Sequence, residues 1–194
     1  MLSQHCLQCK SKLQRKQSQV CIVIAFFLVA SFPGCLFVRT TEHIVTINDN
    51  RSGDAVIHLT DIRSDAQSDS LVRQDFDDLM SAYGAKKVDE FEQHGRRITS
   101  KRLRVAGDTL MAEVTYTFNS LDAIDGLRMT KDGLMLVFLP EREVLRTNGK
   151  ISQTDKKETC IKWDRDARRL VYEVREKDVP RSVSLAFLYR KYVH

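Results

Sequence analysis

Apolar and polar positions alternate with a period of two through most of the chain after residue 40, which predicts strands. Residues 40–47 read as a strand with Val45 and Ile47 on one face. Asn48, Asp49, Asn50, Ser52 and Gly53 form a dense turn signal, and Ala55, Ile57 and Leu59 resume the alternation through Ile62. The two runs predict a β-hairpin. Residues 87–94 predict a polar strand and 96–105 another, whose apolar positions change parity between Ile98 and Leu103. Such a change points to a bulge or an edge strand. Leu110, Ala112, Val114, Tyr116 and Phe118 alternate without a break against Met111, Glu113, Thr115, Thr117 and Asn119, the clearest strand in the sequence. Residues 134–139 are apolar on both faces, as in a central strand, and 143–146 continue toward an edge. Residues 159–163 and 170–175, separated by a polar turn at 164–167, predict a last hairpin with Leu170, Tyr172 and Val174 facing one way.

One stretch has the helical period instead. Val72, Phe76, Leu79, Met80 and Tyr83 form a single stripe, with Asp65, Asp69, Asp75, Asp77 and Asp78 around it. This predicts an amphipathic helix over about 65–83, capped by Ser64 or Ser68 and stopped at Gly84. Residues 120–126 suit one or two helical turns. The tail at 182–192 fits both periods, and Pro180 and Ser182 favour a short helix. The sum is an α+β domain: a mostly antiparallel, curved sheet of about seven to nine strands, with the long helix and a short C-terminal helix on one face.

The first 39 residues carry a different pattern. From Gln17 to Val38 there is no charge, and 20–30 are strongly apolar. Eleven helical residues span only about 16 Å, short of a hydrocarbon core of about 30 Å. Lys10, Lys12, Arg15 and Lys16 precede the run, and the first acidic residue is Glu42. The formal net charge of +5 therefore falls to +1 over 35–194, with 27 basic against 26 acidic residues. That removes the basic excess as an argument for nucleic acid.

The order of basic segment, short apolar run, Pro33, Gly34 and Cys35 resembles a bacterial lipoprotein signal peptide with its lipobox. The resemblance implies cleavage between Gly34 and Cys35 and acylation of Cys35. Residues 1–34 are then a cleaved signal, 35–39 a lipidated tether with Leu36, Phe37 and Val38 as an apolar collar, and 40–194 the extracytoplasmic domain. A retained single-pass anchor over 20–38, of minimal spanning length, is the competing reading. Either places the domain at the bacterial cell envelope, facing away from the cytosol.

The remaining chemistry is sparse. Cys6 and Cys9 lie in the segment that processing removes, Cys21 lies within its apolar run, and Cys160 beside Ile161 and Trp163 reads as a buried thiol. His43 and His58 fall on the two strands of the first hairpin, where they could face each other. No zinc-protease, nucleophile-elbow, P-loop or dinucleotide motif occurs, so no enzyme, metal or cofactor is expected. Arg96, Arg97, Lys101, Arg102 and Arg104 read as solvated strand residues.

Asn148, Gly149 and Lys150, then Ile161, Lys162, Trp163 and Asp164, then Leu170, Val171, Tyr172, Glu173 and Val174, resemble the LppM-like group of bacterial lipoproteins. That resemblance implies an envelope-anchored α+β domain with lipid contact and no catalysis. Two functions follow as expectations. One is a non-catalytic lipoprotein that binds an envelope partner through its sheet, with a filled interior and a polar exposed face. The other is an apolar-ligand carrier in which Tyr116, Phe118, Phe138, Tyr172 and Phe187 line a groove of at least about 300 Å³.

Overall fold

A computed structural model describes residues 36–85, 89–154, 158–177 and 181–193. The expected signal 1–34, its cleavage site at Gly34 and Cys35, and Cys6 and Cys9 lie outside these residues. The described chain is α+β and its strands pair antiparallel.

The first hairpin joins β1 (Leu36–Ile47) to β2 (Gly53–Ser64) in one register, from Leu36 opposite Ser64 to Ile47 opposite Gly53. β1 therefore begins four residues before the expected strand. Leu36 and Val38, expected in a collar outside the domain, are buried in its core. Inward positions are odd in most of the hairpin (His43, Val45, Ile57, Leu59) and even at this end (Leu36, Val38, Ile62, Ser64). The switch occurs at Asp61, a non-glycine residue with φ of +64°. Aspartate is among the few side chains that tolerate this region, and Arg39 and Arg63 hold its carboxylate at 3.5 and 3.1 Å.

β3 (Arg96–Ala106), β4 (Thr109–Phe118), β7 (Arg142–Thr147) and β10 (Arg169–Glu176) complete a large sheet in the order β3-β4-β2-β1-β10-β7. β11 (Val183–Ser184) adds to the end of β2. β3 is an edge, with a register shift between Ile98 and Ser100, so the parity change in the sequence marks a real bulge. A second sheet has the order β5-β6-β9-β8, from β5 (Leu127–Thr130), β6 (Gly133–Val137), β8 (Lys150–Gln153) and β9 (Thr159–Trp163). The described residues thus hold eleven strands in two sheets, rather than seven to nine in one. β9 and β10 do not form the expected hairpin. Ile161 is buried between the neighbouring strands β6 and β8, which draws β9 into the small sheet.

The helix expected over about 65–83 is not found in that form. α1 spans Asp69–Gly84, Ser68 caps it by accepting from the Leu71 N–H at 3.5 Å, and its buried side carries Asp75 among Val72, Phe76 and Leu79. The Ser64 hydroxyl donates to the Asp75 carboxylate at 2.5 Å, and burial raises the pKa of that acid. The polar strand expected at 87–94 is absent: α2 occupies Asp89–Gln93, and 86–88 lie outside the described residues. The tail uses both of its periods in turn, β11 and then α3 (Ala186–Val193). α1 packs on β2 and α3, and α3 on β3 and β4. Phe91 of α2 meets Tyr116 of β4 edge-on at 5.0 Å, while Trp163 of the small sheet and Phe138, the residue after β6, meet Tyr172 of β10. One face of the large sheet is thus covered along its width, and the core is continuous.

Asn148 ties the two sheets together at the point where the chain leaves β7 for β8. Its carbonyl oxygen accepts from the Trp163 indole and the Val171 N–H, both at 2.8 Å, and its amide donates to the Arg169 carbonyl at 2.8 Å. Gly149 lies against the same indole: a Cβ there would stand 2.6 Å from the ring nitrogen. The three separate sequence blocks around Asn148, Trp163 and Val171 are therefore one bonded unit. Asn148→Ala leaves the buried Trp163 indole N–H and the Val171 N–H without their acceptor. It is expected to lower stability by about 1–3 kcal/mol, read from the midpoint of urea unfolding.

Candidate functional site

Four of the five residues expected to line a groove pack into the core instead. The Tyr116 ring sits against Phe91, and burial pushes its hydroxyl pKa up to about 12. Phe118 lies over Gly53, where a Cβ would come within 2.6 Å of the ring. Tyr172 stacks on His43 at 4.5 Å and 11° and meets Phe138 at 5.8 Å and Trp163 at 6.1 Å; burial also raises its hydroxyl pKa. Phe187 is elsewhere, 58% exposed on α3 with Lys191 Nζ 4.3 Å over its ring. These side chains fill space rather than enclose it.

The two histidines of the first hairpin do not face each other. Cross-strand partners are Glu42 with His58 and His43 with Ile57, so the imidazoles stand on opposite faces. His43 points into the core, where burial, with a lesser effect from Arg142, lowers its pKa to about 3. Its Nε2 has no hydrogen-bond partner. A neutral ring bears this more easily than a charged one. His58 points outward.

The outer face of the large sheet is the other feature that joins many side chains. Antiparallel register places Arg102, Glu113, His58, Glu42, Glu173 and Arg146 in one row across six strands. Glu42 accepts from His58 Nδ1 at 2.9 Å and is bonded by Arg146. His58 Nε2 lies 3.5 Å from Glu113, Arg102 3.7 Å from Glu113, and Arg146 Nε 3.5 Å from Glu173. The neighbouring row carries Thr115, Val56, Ile44 and Val171, all half-buried. Side chains directly opposite on antiparallel strands are near neighbours, so the row is a product of register alone. The carboxylates engage opposite ring nitrogens of His58, which prevents the three groups from converging on one ion. Among the described residues no His, Cys, Asp or Glu group of three is arranged to hold a metal.

The basic cluster of β3 does not behave as a solvated stripe. Arg97, Arg102 and Arg104 are exposed, but the bulge turns Arg96 and Lys101 inward. Arg96 is 5% exposed, lies 4.2 Å over the Phe91 ring and pairs with Asp125 at 2.9 Å. Lys101 donates to the carbonyls of Ala82 and Ala85 at 2.7 and 2.9 Å, satisfying the C-terminal end of α1, and desolvation lowers its pKa. The parity change in the sequence was the only signal for either contact. A shallow cleft of about 520 Å³ lies beside Arg96 and Arg97, against Thr117 and Asn119, and one of about 320 Å³ beside Arg146, Asn148 and Arg169. Both are open, and neither contains any of the aromatic residues expected at a groove.

Cys160 is buried in β9. Among the described residues no helix is long and apolar enough to cross a membrane. No family model, curated protein or solved structure matches the chain.

Proposed function

We propose that the chain is a membrane-anchored bacterial envelope lipoprotein of the LppM-like kind, acylated at Cys35, whose domain acts by binding rather than by catalysis. In this reading residues 1–34 are the signal, cleaved after Gly34, and the domain faces away from the cytosol. The uncovered face of the large sheet receives an envelope protein or lipid. No nucleic acid and no cofactor take part.

The observation that carries the binding role is the contrast between the two faces. The inner face is filled by Tyr116, Phe118, Phe138 and Tyr172, with helices and the small sheet above it. The outer face presents the charged row and a half-buried β-branched row. An antiparallel sheet solvated on one side keeps a recognition surface without a pocket. The burial of all four aromatic side chains in the core speaks against an apolar ligand lodged among them.

The test of the anchor is the intact mass and N-terminal peptide of the protein from membranes of its host. A chain that begins at a diacylated or triacylated Cys35 is expected. An unmodified Met1 terminus sinks the lipoprotein reading and returns the segment to a retained anchor.

A further inference from the structure

β1 opens at Leu36, so an anchor that ends at Cys35 joins the sheet with no spacer. That fixes which end of the domain meets the bilayer. Leu36 pairs with Ser64, and Ser64 pairs in turn with Val183 of β11. The Ser184 hydroxyl donates to the Asp108 carbonyl in the β3–β4 turn at 2.7 Å. Arg142 at the start of β7 lies opposite Glu176 at the end of β10, beside the start of β1. The N-terminus of β1, the β3–β4 turn, β11 and the approach to β7 therefore share one end of the large sheet.

Three large apolar side chains stand exposed at that end: Leu139 at 49%, Val183 at 52% and Phe187 at 58%. Exposed cations accompany them. Lys191 covers the Phe187 ring, Arg181 sits two residues before Val183, and Lys177 donates to the Pro140 carbonyl beside Leu139 at 2.7 Å. The hairpin turn at the opposite end of β1 and β2 is polar, with Asn48, Asn50 and Ser52 bonded to one another.

We infer that this end of the domain is a bilayer-contact surface, with Val183 and Phe187 entering the headgroup–acyl boundary of an anionic membrane and Lys177, Arg181 and Lys191 lying at headgroup level. The inference rests on the anchoring proposed above. Apolar and aromatic side chains gain by leaving water at the interface, and long cationic side chains keep their charge at the anionic headgroups. The spacerless join holds the patch at high local concentration, so a contact too weak to recruit a free protein suffices. It also stands the strands up from the surface. Glu42, six residues beyond Leu36, then lies about 20 Å along the strand from the anchor, which holds the charged row clear of the lipid.

The full chain, purified from membranes of its host, is reconstituted in phosphatidylethanolamine–phosphatidylglycerol vesicles with and without brominated acyl chains. Trp163 is the single tryptophan and is buried, so it supplies a constant background. F187W adds a reporter at the proposed contact and N50W one at the opposite turn. A side chain about 5–10 Å into the interface is expected to lose emission to brominated lipid beyond the loss seen in the parent, while N50W matches the parent. Vesicle-bound protein in which F187W is quenched no more than N50W overturns the inference and leaves the anchoring intact. Protein that fails to float with the vesicles overturns the anchoring, and the contact surface with it.

Discussion

Tyr172→Ala is expected to lower stability by about 3–5 kcal/mol, the range for deleting a fully buried aromatic side chain. The ring stands where the two sheets meet. It stacks on His43 of β1 in its own sheet and touches Trp163 of the small sheet and Phe138 just beyond β6. Removing it takes away the contact area of three aromatic neighbours at once, and the surrounding strands cannot close the gap without shifting their ladders. Phe187→Ala serves as the comparison. Its ring is mostly exposed, so a change within about 0.5 kcal/mol is expected. Urea unfolding of both variants checks the pair. If the five aromatic side chains lined an open groove, the two losses would be similar and small. That outcome would restore the apolar-ligand reading.

The second large effect is a loss of stability on acidification, carried by His43. Burial lowers its folded pKa from 6.5 to about 3, so the folded state keeps the ring neutral while the unfolded chain takes up a proton below 6.5. Stability rises with pH wherever the unfolded state binds more protons. The contribution is fully present above pH 6.5 and is lost as the pH falls toward about 3. From pH 7 to pH 5 this amounts to about 2 kcal/mol. His43→Phe keeps an aromatic ring against Tyr172 and removes the proton. Carboxylates contribute to the slope of both proteins, so the difference between parent and variant isolates the imidazole. Guanidinium unfolding at pH 7 and pH 5 measures it. Equal losses in the two proteins would show that His43 is not held neutral in the fold.

Local alternation revealed the inward row of β4 and most of the first hairpin, because strand period is a property of neighbouring residues. The parity change at 98–103 likewise revealed the bulge of the edge strand. It did not reveal its consequence, that Arg96 and Lys101 turn inward to Asp125, Phe91 and the end of α1. Those partners lie elsewhere in the sequence. Asp61 misled in the opposite sense: the apolar run through Ile62 looks continuous, yet a left-handed backbone at one residue reverses which side is buried. Residues 87–94 read locally as a polar strand, yet 89–93 are helical. What decides them is Phe91, buried against Tyr116, and that contact has no local signature.

The sequence by itself determined the α+β class, the antiparallel character and the uncharged apolar run that precedes the domain. These follow from local sterics, turn chemistry and the cost of burying charge. Only the tertiary structure decided that the strands divide into two sheets and that β9 parts from β10. The same packing holds His43 neutral under Tyr172 and aligns Arg102, Glu113, His58, Glu42, Glu173 and Arg146 into one row. Each depends on register between strands far apart in the chain. Register is set by how whole faces pack, so no single segment contains it.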